Sequence, residues 1–214
     1  MILRYRLLAI LIGVATGVSV LLAGLSPASG AAQASATYWT TVLGPIGFGA
    51  IVADDARNQV LVSGRSGNVV KILDDSGKLV TTVPNIYGAA GMVIQRDQLY
   101  VAESTAGAIV RIDLTNPANP PVTVANGLYR PYWLVETGGK LWTADNSGHL
   151  ISVKPSTGAV SVFTSFTFIG ADLATSPGDL DTLFVAVDGS DGPIYRLDVS
   201  SRTPKVVASG SAGQ

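Results

Sequence analysis

Arg65, Glu103, Asp145 and Asp188 recur at intervals of about forty residues, each just beyond a four-residue run of mainly apolar side chains. Ser104, Asn146 and Asp191 stand beside or near them. Three carboxylates with amide and carbonyl oxygens close by have the chemistry of a Ca2+ or Mg2+ site, since these hard cations take oxygen ligands. Glu103, Asp145 and Asp188 are the candidate ligands. The competing reading is local, because an Asp or Glu after a strand accepts backbone N–H bonds and closes its own turn. Recurrence of one residue class in every repeat favours the turn role, so no cofactor is required, and Ca2+ or Mg2+ is what the acids would admit.

A second group is continuous in sequence. Tyr129-Arg130-Pro131-Tyr132-Trp133 sets three aromatic rings beside a guanidinium, a set that could stack a sugar or grip a peptide. The alternative is packing of Tyr132 and Trp133 between repeats, with Arg130 paired to a neighbouring acid. His149 is the single histidine and there is no cysteine. A thiol nucleophile is therefore excluded, and a Ser-His-Asp site would depend on His149 alone. The candidate ligand-binding set is Arg65, Glu103, Tyr129, Arg130, Tyr132, Trp133, Asp145, Asn146 and Asp188, with no catalytic residue assigned.

These residues need elements that bring them to one end of the molecule. Val60-Leu61-Val62-Ser63, Leu99-Tyr100-Val101-Ala102, Leu141-Trp142-Thr143-Ala144 and Leu183-Phe184-Val185-Ala186 align with a period near forty. Each is followed by a polar, Gly-containing turn and a second alternating run: Asn68 to Ile72, Ala108 to Ile112, His149 to Val153 and Pro193 to Leu197. Period-two alternation rich in Val, Ile, Tyr and Thr reads as half-buried strand. A short apolar run precedes each pair (Ala50 to Ala53, Gly91 to Ile94, Tyr132 to Val135, Ala171 to Ala174), and an outer run follows (Leu79 to Val83, Val122 to Ala125, Val160 to Phe163, Val206 to Ala208). Four antiparallel strands per repeat, repeated radially, make the blade of a β-propeller. The expected units are 46–85, 86–127, 128–166 and 167–209. In that register Leu61, Val101, Trp142 and Phe184 are expected at related positions, with Trp142 in the core. Strand reversal puts the turns after the second strands, and the crossings between repeats, on one face. That face carries the candidate residues.

The passage Gly127 to Val135, continuing through Gly139 to Leu150, resembles the NHL and YVTN type of bacterial propeller repeat, as does Leu99-Tyr100-Val101-Ala102-Glu103 with Ile109 to Ile112. The resemblance runs from Tyr38 to the C-terminus and implies fold more than function, since such families include lactonases, lyases, sensors and binding scaffolds. Gluconolactonase-like propellers imply a Glu, Asn and Asp set around a divalent metal. Ile46-Gly47-Phe48-Gly49 lacks the carboxylate expected there. Virginiamycin-lyase-like propellers imply a catalytic His and Mg2+, for which His149 is what this sequence offers.

Families of this kind close with six or seven blades, whereas four repeats are counted here. Tyr38 to Gly44 resembles an outer strand without inner partners. The expectation is an incomplete, open ring from the N-terminal part of a longer propeller, the alternative being a compact four-bladed ring with a loose first strand. Open edges predict self-association.

A chain of 47% hydrophobic and only 14% charged residues, with 24 Gly and 11 Pro, suits a packed, turn-rich β fold rather than a disordered chain. Arg4 and Arg6 precede nineteen uncharged, largely apolar residues from Leu7 to Leu25, and Ala32-Gln33-Ala34 has the small-x-small pattern of a signal peptidase site. Residues 1–34 are read as a signal peptide, or as a membrane anchor if uncleaved, and 35–214 as the propeller. Either way the body is secreted or held in the cell envelope. That body has 12 basic against 15 acidic groups, a net charge of −3, which argues against nucleic acid. The function expected is a non-enzymatic scaffold that recognises an extracellular protein, glycan or small ligand through its loop face. The alternatives are a metal-dependent lactonase or lyase, and an inactive truncated remnant.

Overall fold

The computed structural model describes residues 46–165, 171–176, 178–187, 192–200 and 203–208. The expected signal segment and the outer-type strand at Tyr38 to Leu43 lie outside the described residues. Among the described residues there are sixteen strands and no helix. Blade 1 holds β1 (Phe48–Asp54), β2 (Gln59–Gly64), β3 (Val69–Asp74) and β4 (Leu79–Val83). Blade 2 holds β5 (Ala89–Gln95), β6 (Gln98–Glu103), β7 (Ala108–Asp113) and β8 (Val122–Ala125). Blade 3 holds β9 (Val135–Thr137), β10 (Lys140–Ala144), β11 (His149–Val153) and β12 (Val160–Ser165). Blade 4 holds β13 (Ala171–Ser176), β14 (Asp179–Val187), β15 (Ile194–Asp198) and β16 (Thr203–Ala208). Each blade is a four-stranded antiparallel meander in sequence order. The chain is a β-propeller, as its period implied.

Short turns join the strands for identifiable reasons. Asp74, Asp113 and Asp198 end the third strands of blades 1, 2 and 4, and each accepts a backbone N–H and a hydroxyl two residues on, from Ser76, Thr115 and Ser200. Such Asx turns replace the ladder bonds that a strand end loses. These bonds hold the Asp74 and Asp113 carboxyls below the usual carboxylate range, the hydroxyl contact contributing most.

Alternation along the strands gives each blade two apolar faces, one toward the preceding blade and one toward the following blade. Leu61, Val70 and Ile72 of blade 1 meet Met92, Leu99, Val101, Val110 and Ile112 of blade 2. Tyr100, Ala102 and Ile109 of blade 2 meet Leu134, Leu141, Ile151 and Val153 of blade 3. Trp142, Ala144 and Leu150 of blade 3 meet Leu173, Leu183, Val185 and Leu197 of blade 4. Trp142 is fully buried; its indole N–H donates to the carbonyl of Thr137 at 3.1 Å, and its ring meets Phe163 edge to face at 5.1 Å. Burying each large apolar side chain contributes about 1.5–3 kcal/mol.

The ladders correct two expectations. Leu61 pairs with Val52, Tyr100 with Val93, Trp142 with Val135 and Phe184 with Ala174. Tyr100, not Val101, is thus the counterpart of Leu61, Trp142 and Phe184, and Val101 points to the opposite face, where it packs on blade 1. Tyr132, Trp133 and Leu134 are also not strand: β9 starts at Val135. Pro131 has no N–H to give a ladder, and the Tyr132 carbonyl is taken by the N–H of Gly91 in blade 2 at 2.6 Å. Gly91 permits that approach, since a Cβ there would meet the Leu134 nitrogen and the Tyr132 oxygen at 2.5 Å.

Inner strands pack in sequence, β1 on β5, β5 on β9 and β9 on β13, and among the described residues β13 makes no comparable packing on β1. The four described blades do not close into a ring. Exposure shows where. Ile51, Met92, Leu134 and Leu173 hold corresponding inner positions facing the preceding blade, and their exposures are 54%, 5%, 4% and 8%. On the opposite face Val70, Ile109 and Leu150 are fully buried, whereas their counterpart Ile194 is 38% exposed.

Candidate functional site

The turns after β2, β6 and β10 all emerge on one face, where backbone bonds tie them to the segments that lead into β1, β5 and β9. Arg65 N–H donates to the Gly47 carbonyl at 2.6 Å, Ser104 N–H to Gly88 at 3.1 Å and Asn146 N–H to Tyr129 at 3.3 Å. Gly88 lies at φ 70°, and a Cβ there would sit 2.7 Å from the Ser104 hydroxyl. Turn and crossing are thereby locked in fixed relation, which presents side chains from several blades to a common space.

That space is a cleft of about 410 Å3 lined by Arg65 and Ser104 from the turns of blades 1 and 2, Arg130, Tyr132 and Trp133 from the crossing, Ala144, Asp145 and Asn146 from blade 3, and Ala171 and Asp172 from β13. Arg65 reaches over blade 2: its Nη1 donates to the Tyr132 hydroxyl at 2.8 Å, and its guanidinium carbon lies 4.8 Å from the ring centroid. Tyr132 meets Trp133 edge to face at 5.5 Å. Arg130 is exposed and its backbone occupies the left-handed region at φ 50°, a conformation that costs a side-chain-bearing residue of order 1 kcal/mol.

Both described acids from the sequence set accept backbone N–H groups, Asp145 from its own turn and Glu103 from the segment that leads into β5. Asp145 Oδ1 accepts the N–H groups of Ser147 at 2.8 Å and His149 at 2.9 Å, and its Oδ2 faces His149 Nδ1 at 3.1 Å. Glu103 is buried and its Oε1 accepts the N–H of Tyr87 at 2.7 Å. Burial raises the Glu103 carboxyl above its ordinary range, the Tyr87 bond opposing this in part. Among the described residues no three acidic or histidine side chains gather as a metal cluster. Asp188 and Asp191 lie outside the described residues. His149 is paired to Asp145 and does not line the cleft.

Of the nine residues singled out from sequence, the cleft brings together Arg65, Arg130, Tyr132, Trp133, Asp145 and Asn146. Glu103 is beneath the turn, and Tyr129 points its ring into solvent at 56% exposure.

Comparison with known proteins follows this geometry. A family profile described as a repeat of unknown function, DUF6923, matches residues 48–213. The chain belongs to that family. A search of curated proteins finds no match. Among solved structures the chain is similar to Kuenenia stuttgartiensis hydrazine synthase, with 14% identity and TM-score 0.66 over 82% of this chain and 53% of that one. It is also similar to a streptogramin B lyase, with 11% identity and TM-score 0.63 over 77% and 55%. A third likeness is to a chain of the nidogen/laminin complex, with 12% identity and TM-score 0.65 over 76% and 65%. The chain spans between about half and two thirds of the length of those three. At such identities the shared property is the propeller fold, which in this DUF6923 member runs through all four blades.

Asp172 was missed as a lining residue, while Ser104 was noted beside the acids but left out of the ligand-binding set. Asp172 sits in Ala171-Asp172-Leu173-Ala174, read from sequence as doubly buried strand, and its charge was the available signal. In the structure Leu173 turns into the blade 3 joint while Asp172 faces outward to the cleft.

Proposed function

We propose that this chain is an exported, non-enzymatic propeller that binds its ligand in the cleft of the loop face, and that among protein, glycan and small-molecule ligands the lining fits a glycan best. One observation carries this reading: the cleft gathers Arg65, Arg130, Tyr132, Trp133 and Asn146, while Glu103 and Asp145 are engaged by turn N–H groups. Aromatic rings offer apolar faces to the C–H side of a sugar, and guanidinium and amide groups offer fixed donors to its hydroxyls or carboxylate. Catalysis of the lactonase or lyase type would need a free base or an oxygen-ligated metal, and of the candidate acids named from the sequence, Glu103 and Asp145 are engaged by backbone N–H groups. Export rests on Arg4, Arg6 and the apolar run that follows.

The test is titration with a panel of neutral and uronic-acid oligosaccharides, read by tryptophan fluorescence and by thermal melting, with and without millimolar Ca2+ or Mg2+. A bound ligand raises the melting temperature by mass action. Saturable binding that R130A and Y132A weaken at least tenfold, without change in the sugar, supports the proposal. Breakdown of a panel member, or a requirement for metal, would replace it with the enzyme reading. No binder across the panel would remove the glycan assignment.

A further inference from the structure

We infer, resting on the glycan reading of the cleft, that Arg130 is its specificity-determining residue and selects a sugar that carries an oxyanion, a carboxylate or a sulfate ester, over the neutral sugar of the same size. Val52, Val93 and Val135 pair with Leu61, Tyr100 and Trp142 and so hold one register in blades 1, 2 and 3. Five residues before each stand Gly47, Gly88 and Arg130. All three are left-handed, at φ 56°, 70° and 50°. Glycine adopts that backbone freely, whereas a residue with a side chain is strained in it. In blades 1 and 2 glycine is also needed for space, since a Cβ at Gly47 would lie 2.6 Å from the Ser66 hydroxyl and one at Gly88 would lie 2.7 Å from the Thr105 nitrogen. Blade 3 keeps the left-handed turn but moves the tie. Asn146 N–H donates to Tyr129, one residue before Arg130, where Arg65 and Ser104 donate to Gly47 and Gly88 themselves. Pro131 adds a second conflict, because the residue before a proline favours extended backbone. A position that glycine serves in two blades therefore carries, in the third, a side chain that its backbone disfavours. Strain of this kind clusters at ligand clamps and active sites, and the Arg130 side chain lines the cleft.

The chemistry follows from what else the cleft holds. Arg65 gives one N–H to the Tyr132 hydroxyl and rests against that ring, while among the described residues no ion pair involves Arg130. Both acids of the lining are engaged, Asp145 by the Ser147 and His149 N–H groups and the His149 ring, and Asp172 by a partner of its own. What the lining has left to offer a ligand is therefore chiefly donors, from two guanidiniums and the Asn146 amide. A guanidinium fork meets two oxygens of an oxyanion at once, and such charge-assisted bonds are about twice as strong as those to a neutral hydroxyl. With Tyr132 and Trp133 beside it, Arg130 can hold the anionic substituent while the sugar ring lies on an aromatic face.

The experiment compares neutral, uronic-acid and sulfated oligosaccharides of matched length on the full chain and on R130G, by fluorescence titration and thermal melting. The parent should bind a charged sugar about tenfold or more tightly than its neutral match, and the arm that shows the preference identifies the oxyanion. R130G should weaken the charged sugar about tenfold more than the neutral one. Without ligand it should melt no lower than the parent, because glycine relieves the left-handed backbone while loosening the unfolded chain. An arginine retained for structure alone would lose stability and leave selectivity unchanged. R130G that melts clearly below the parent, or that keeps the parent's selectivity, overturns the inference and leaves the glycan reading standing. So does a parent that binds neutral and charged sugars alike. A panel with no binder removes both.

Discussion

The face of blade 3 that meets blade 4 and the face that blade 4 turns outward have the same strand pairing and similar residues, but different surroundings. Trp142 and Leu150 on the first are fully buried; Phe184 and Ile194 on the second are not. Pattern sets which side chains share a face, and a neighbour sets whether that face is core. In a radial repeat no blade buries both of its faces alone, so stability resides in the joints. The practical consequence is that equal substitutions at equal register should have unequal cost.

The largest effect expected is at Trp142. W142A removes the largest side chain of the blade 3 to blade 4 joint and the edge-to-face partner of Phe163, and should cost about 3–5 kcal/mol in urea unfolding. L150A should cost about 2–5 kcal/mol by the same cavity argument. I194A is the matched control at the open face. Its cost should stay under about 1 kcal/mol, as partly exposed sites lose little transfer energy and leave no cavity. If L150A and I194A cost the same in the monomer, the distinction between joint and open face fails.

A smaller effect tests the backbone side of a joint. G91A puts a methyl group against the Tyr132 carbonyl and the Leu134 nitrogen, which are backbone and cannot swing aside. Overpacking of this kind costs about 1–3 kcal/mol. It should also shift Tyr132 and so weaken ligand binding in the cleft, whereas a glycine in open space such as Gly139, itself at φ 68°, would transmit nothing to the cleft when replaced by Asn. Calorimetric melting and the fluorescence titration read the two consequences separately.

Much of this architecture was legible because propeller blades advertise themselves twice, by alternation within strands and by a period between them. The period placed Leu61, Trp142 and Phe184 in one register. It misplaced Val101 because Leu99-Tyr100-Val101 offers an apolar residue on either face, so alternation is lost and only the ladder partner Val93 assigns Tyr100. Tyr132 to Leu134 read as strand from side-chain type alone; what excludes them is a backbone fact, the missing N–H of Pro131 and the bond from Gly91. The loop face was legible as a place, since strand reversal dictates it. Its chemistry was less so, because whether an acid faces a ligand or its own turn depends on a rotation about two or three bonds that spacing does not encode. Asp145 and Glu103 sit at corresponding turns, one at the edge of the cleft and one beneath it.

The smallest effect expected is at Glu103. Its carboxyl is raised by burial, so the folded chain holds the proton to higher pH than the unfolded chain does. The ionised form is therefore the costlier one to fold. Stability contributed by this group is full below the unfolded value, near 4.3 for a model Glu, and is lost as pH rises through the higher folded value. E103Q keeps an oxygen to accept the Tyr87 N–H and removes the charge, so at neutral pH it should melt above the parent, by less than about 1 kcal/mol. Below pH 4 the two proteins should converge, because the parent is then protonated in both states. The Asp74 turn provides the contrast. Its carboxyl is lowered by the Ser76 hydroxyl, so its contribution is present above the unfolded value and lost as pH falls through the folded one, and D74N should melt below the parent at neutral pH. Opposite signs at Glu103 and Asp74 would establish that one acid is a buried charge tolerated under the loop face and the other a turn cap in solvent. An E103Q protein less stable than the parent at neutral pH would instead mean that the charged bond to Tyr87 outweighs burial.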